Sequence, residues 1–272
     1  SCAWRLAATR QKNFEARDIN KELFGKPYDP AMYPGRVSTP KSPCIHVWDS
    51  HGKLVYEDAV PGMEIIDGVG MDRNDDIYVM HNSNRYQDGK PYPNPMAQTL
   101  MKFKPGKSRF LAGNPGCTPV PLTDELKPKR APDGQNCFMG DFWVENGPEW
   151  SYAGVGKGAS NVDLCCCWFP RFTLDDFARS IAPETSLFSV AVLDSAGNLI
   201  LRIGRYGNID DCHPDPKDGS DGVGLFHPWY TATHTDRRIF IADPGNAQIA
   251  SVKLGYHAEE KVALKDVKDL TK

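Results

Sequence analysis

Phe188-Ser189-Val190-Ala191-Val192-Leu193, Asp194-Ser195-Ala196-Gly197, Asn198-Leu199-Ile200-Leu201-Arg202-Ile203 is the stretch that decides the fold. An apolar run, a tight polar turn and a second apolar run predict a β-hairpin. The phrase recurs upstream. Cys44-Ile45-His46-Val47-Trp48 passes through Asp49-Ser50-His51-Gly52 into Lys53-Leu54-Val55-Tyr56. A weaker copy pairs Thr99-Leu100-Met101-Lys102-Phe103 with Arg109-Phe110-Leu111 across Lys104-Pro105-Gly106-Lys107.

A second hairpin type is interleaved with the first. Val69-Gly70-Met71-Asp72 turns into Ile77-Tyr78-Val79-Met80-His81. Its relatives run from Arg171-Phe172-Thr173-Leu174-Asp175 into residues 179–184, and from Trp229-Tyr230-Thr231-Ala232-Thr233 into Arg238-Ile239-Phe240-Ile241-Ala242-Asp243. Each inner hairpin precedes an outer one, and self-similarity of this kind marks a repeat architecture. Four short antiparallel strands per unit suit an all-β β-propeller, whose radial closure leaves only short sheet edges.

Residues 192–199, Gly204-Arg205-Tyr206-Gly207, Pro228, and Ile239-Phe240-Ile241-Ala242-Asp243-Pro244-Gly245-Asn246-Ala247-Gln248-Ile249 resemble NHL repeats. That pattern is a D-x-x-G hairpin, a G-x-x-G stretch, a Pro opening the next inner strand, and V-A-D-x-x-N-x-x-I. The match spans residues 186–256, is partial over 44–112, and is absent from 1–43 and about 113–165. The resemblance implies an NHL-type β-propeller, six-bladed if complete. It is related in architecture to peptidyl-amidoglycolate lyases and gluconolactonase-type hydrolases, while many members are only binding modules. About three blades and a stray outer hairpin are readable, so either residues 113–170 hide further blades or the chain is the C-terminal part of a longer propeller. Divergent blades in a small propeller are a third reading.

The domain reading is an N-terminal part, 1–43, and a propeller, 44–272, with a long insertion at about 113–170. Leu6, Phe14, Ile19, Leu23 and Phe24 are loosely helical in spacing, which predicts a short surface helix within 1–24. Pro27, Pro30, Pro34, Pro40 and Pro43 make residues 25–43 a semi-rigid connector.

Of 272 residues, 46 are Gly or Pro, so the chain is rich in turns. A net charge of −3 argues against a nucleic-acid partner, because phosphate recognition needs a basic excess. No apolar run approaches the ~18 residues of a membrane helix. A coiled coil and a disordered chain are excluded by the same composition.

Eight cysteines, an even count spread over the chain, fit an extracytoplasmic (secreted or periplasmic) protein with disulfides. No charged-then-apolar leader is present. Cys165, Cys166 and Cys167 precede Pro170, which aligns with Pro228, so the run is expected near the mouth of the channel together with His227. Three readings stay open there: disulfides to distant cysteines, a strained reactive pair of adjacent cysteines, and a soft-metal site of thiolates with an imidazole.

His81, Glu184 and Asp243 occupy equivalent places after the inner hairpins. His81 and Glu184 depart from the NHL Asp and are candidate ligands. Asp243 reads as a turn cap. The candidate metal residues are therefore Cys165, Cys166, Cys167, His227, His81 and Glu184, for zinc, copper or calcium. The acidic loop 210–221 lacks EF-hand spacing and reads as a solvated turn. Trp143, Trp150, Trp168 and Trp229 offer stacking surfaces for a sugar, or core packing. There is no nucleophile elbow, P-loop, dinucleotide fingerprint or H-E-x-x-H, so no nucleotide cofactor is expected.

Two function classes follow. The first is a scaffold binding a glycan, peptide or protein at a propeller face, alone or within a larger chain or complex. The second is a metal-dependent enzyme, hydrolase or lyase by the family resemblance or redox with copper, acting at the central channel.

Overall fold

The computed structural model describes residues 6–10, 44–56, 58–63, 66–92, 97–112, 124–125, 127–136, 140–156, 170–208, 210 and 222–255. Among them there is no α-helix, and the strands form antiparallel sheets except for one short parallel pair. Among the described residues no helix is long and apolar enough to cross a membrane.

β1 (Leu6–Arg10), β2 (Cys44–Trp48) and β3 (Leu54–Tyr56) form an N-terminal sheet. Within 1–24, where a short helix is expected, residues 6–10 form the strand β1, and the rest of that stretch lies outside the described residues. β1 pairs with β2 from Leu6↔Trp48 to Arg10↔Cys44, covering an edge that the β2–β3 hairpin leaves open.

β4 (Ile66–Met71) and β5 (Ile77–His81) open the first blade. The chain leaves it for β6 (Asn84–Gln87) and β7 (Lys90–Tyr92) and returns in β8 (Gln98–Phe103). It leaves again for β9 (Arg109–Ala112), β10 (Gly134–Asn136) and β11 (Gly140–Glu145), and completes the blade with β12 (Trp150–Val155). The blade order is β12-β8-β5-β4, and the excursions form a sheet of order β7-β6-β10-β11-β9. The expected outer hairpin of residues 99–103 with 109–111 therefore does not form. Trp150 and Tyr152 of β12 pack into the seam with the second blade, whereas Phe110 packs on the opposite side of β8.

β13 (Thr173–Leu174), β14 (Ser180–Glu184), β15 (Ser189–Leu193) and β16 (Leu199–Ile203) make the second blade in one unbroken meander. The parallel pair β17 (Arg205–Tyr206) and β18 (Gly224–Leu225) leads to the third blade. That blade contains β19 (Tyr230–His234), β20 (Arg238–Asp243) and β21 (Gln248–Lys253).

Strand alternation explains how these sheets stack. In β5, Ile77 and Val79 point to a core shared with β2 and the inserted sheet, while Tyr78 and Met80 point toward the second blade. In β14 and β15, Ala182, Ala191 and Leu193 face the first blade, while Ile181, Val190 and Val192 face the third. The first and second blades bury both faces against neighbouring sheets and the third buries one face against the second, face-to-face stacking of the kind a β-propeller uses.

One turn recurs. Asp49, Asp72, Asp175 and Asp194 each accept, on Oδ1, the amides two and four residues on. Their own amides donate to the carbonyl four residues on. The fourth residue is left-handed each time: Gly52, Asp75, Ala178 and Gly197 have φ of +79°, +65°, +60° and +83°. In the third blade His234 replaces the Asp, and Arg237 sits at φ +69°.

Candidate functional site

Each blade has an upper end, where its first strand begins and its second strand finishes. His81, Glu184 and Asp243 are all final residues of a second strand, so the sequence alignment of the three holds in space. All are buried, and each is held within its own surroundings. His81 Nδ1 lies 2.8 Å from Ser83 Oγ, and its ring packs against Phe110 and Phe142. Glu184 accepts from Tyr152 at 2.9 Å, Ser189 at 3.1 Å and Arg202 Nε at 2.6 Å. Burial and the Glu184 charge push the Tyr152 hydroxyl up to about 12, and the Glu184 hydrogen bond stabilises the charged form of Arg202.

The sequence reading expects Asp243 to cap the backbone of the turn that follows it, and it does not; its carboxylate reaches back across the blade and clamps the approach to β19 instead. It accepts from the amides of Phe226 at 2.9 Å and His227 at 2.7 Å and from Asn246 Nδ2 at 2.9 Å. It thereby fixes the approach to β19.

That approach carries His227 and Trp229. Their rings stack with centroids 4.5 Å apart and planes 28° from parallel. Trp229 is 7% exposed, and its indole N–H has no hydrogen-bond partner among the described residues. The imidazole nitrogens of half-buried His227 likewise take none. Burial holds the His227 pKa below its usual 6.5, against the opposing pull of Asp243.

Three first strands begin side by side here. Arg171 pairs in parallel with Tyr230, its amide donating to Trp229 O at 2.9 Å. Its guanidinium lies 3.8 Å from Asp67 at the start of β4. Gln98 donates its amide to the same Asp67. Arg171 and Tyr230 are exposed, so a cation and an aromatic face stand at the rim beside the His227–Trp229 stack. Cations and aromatic faces together suit ligands with a planar or ring face and an acceptor group.

The structure does not bring His81, Glu184 and His227 around one point: among the described residues no three His, Cys, Asp or Glu side chains form a group able to hold a metal. Cys165, Cys166 and Cys167 lie outside the described residues, as do the loop 211–221 and Trp168. Trp143 and Trp150 are packing residues, donating Nε1 to Arg130 O and Ser195 O. Arg171, Asp67 and Gln98 meet here without belonging to any functional motif of the sequence. The signal for Arg171 was present: it follows Pro170, the counterpart of Pro228, as Trp229 follows Pro228.

No protein-family model matches the chain, and no curated protein matches it in sequence. Among solved structures it is similar to virginiamycin B lyase from Staphylococcus aureus, at 11% identity. The match covers 92% of this chain and 75% of that one, with a TM-score of 0.26, too low to carry an argument.

Proposed function

We propose that this chain is an NHL-type β-propeller that binds a glycan, peptide or protein ligand at the upper end of its blades. The observation that carries the reading is the His227–Trp229 stack beside Arg171, where the first strands of three blades begin. Arg171 supplies donors for an acceptor group, and Tyr230 supplies a ring face. The test is a screen of the full chain against glycan and peptide arrays, repeated with Arg171→Ala and Tyr230→Ala. A ligand whose capture falls about tenfold with either variant supports the site. Capture indifferent to both overturns it.

A second reading rests on His227 alone. An imidazole whose pKa burial lowers, and whose nitrogens take no hydrogen bond among the described residues, suits a general base or a metal ligand. A zinc, copper or calcium ion held by His227 with Cys165, Cys166 and Cys167 is the metal form of this proposal. Elemental analysis of wild type and His227→Ala tests it, with stoichiometric metal lost in the variant as the supporting result. Export with disulfides is proposed alongside, and is tested by counting thiols before and after reduction.

A further inference from the structure

At the lower end of the second seam lies a shallow cleft, partly open to solvent. Ile181 and Val192 of the second blade and Ile239 and Leu254 of the third give it an apolar floor. Its existence traces to one cross-strand rank. In the first blade this rank reads Tyr78–Lys102–Trp150, and the Tyr78 and Trp150 rings pack together in the first seam. In the second blade it reads Ile181–Val192–Leu201, shorter side chains that leave the equivalent seam open.

The rim of the cleft is cationic after its ion pairs are counted. Asp175 accepts Arg179 through Nε and Nη2, both at 2.5 Å. Asp236 accepts His234 Nδ1 at 2.8 Å and Arg238 Nε at 3.4 Å. Both carboxylates are thereby committed, and the Arg237 guanidinium has no partner among the described residues. The half-buried Thr233 hydroxyl on the same wall also has none. One surplus cation and one idle hydroxyl over an aliphatic floor match an anion joined to a short hydrocarbon.

We infer that this cleft binds a carboxylate carrying a short aliphatic chain, its headgroup on Arg237 and Thr233 and its chain on Ile181, Val192, Ile239 and Leu254. Arg237 offers an unusually clean test. It sits at φ +69°, where glycine is favoured, so Arg237→Gly removes the guanidinium while relieving the backbone. Calorimetric titration of the full chain with hexanoate, hexanol and acetate is the experiment, with the thermal midpoint recorded for each variant. The expected result is saturable hexanoate binding, about tenfold weaker in Arg237→Gly at an unchanged or raised midpoint, and about tenfold weaker again for hexanol and acetate. Thr233→Val is expected to weaken hexanoate by a smaller factor. Absence of saturable hexanoate binding, equal binding of hexanol, or full hexanoate affinity in Arg237→Gly each overturns the inference.

Discussion

Glu184 illustrates what a ligand-type residue does when every acceptor site is spent. Its carboxylate is buried between Tyr152 of the first blade and Arg202 of its own, so it ties two blades together instead of facing a cation. Arg202→Ala leaves that charge with only two hydroxyl donors, and should cost about 2 kcal/mol in urea denaturation. His227 belongs to the opposite class, its ring nitrogens taking no hydrogen bond among the described residues. An NMR titration should place its midpoint below 6.5. Because the folded value is the lower one, the unfolded chain takes the proton first as pH falls through 6.5. Stability should therefore drop on acidification through that range, and His227→Gln should flatten that part of the curve. Alignment of strand ends made the equivalence of His81, Glu184 and Asp243 legible in the sequence. Their partners were not legible, since Tyr152 and Arg202 approach Glu184 through tertiary packing that spacing does not encode.

At the scale of elements, the Asp-led turn is the unit that was most readable. Four hairpins use the same set of hydrogen bonds, and Asp with Gly three places later announces two of them, at Asp49 and Asp194. In the others Asp75 and Ala178 hold the left-handed position, and alternation alone revealed the hairpin. Ala178→Gly should stabilise the protein by about 0.5–1 kcal/mol in denaturant titration, by removing a Cβ from a positive-φ site. Gly197→Ala should act in the reverse direction, by about 2 kcal/mol, because a Cβ there meets the Trp150 ring at 2.6 Å as well as the φ penalty. The outer hairpin expected of residues 99–103 with 109–111 does not form, for a related reason. Alternation identifies a strand without naming its partner, and both Arg109–Ala112 and Trp150–Val155 alternate. The first seam chose between them, since Trp150 and Tyr152 fill it.

For the whole molecule the decisive fact is that the second blade is buried on both faces. Its β14 and β15 contribute to two cores, and all five residues of each strand are buried. By contrast β21 alternates half-buried and exposed residues along its length. Hydrogen exchange should find the slowest amides in β14 and β15 and faster exchange in β21, with protection falling outward from the second blade. Equal protection in β21 would show that its far face is covered in solution.

The excursion between β8 and β12 has a consequence for how the chain is made. The second blade occupies residues 173–203 without interruption, so it can assemble as soon as that stretch leaves the ribosome. The first blade cannot: its third strand ends at Phe103 and its fourth begins at Trp150. During translation of the intervening residues, Tyr78, Met80 and Leu100 await both β12 and the second blade. The entropic cost of closing so long a loop grows only slowly with its length, but the delay grows with every residue translated. Of these two blades, the vulnerable interval in biogenesis thus falls on the first, although it begins before the second.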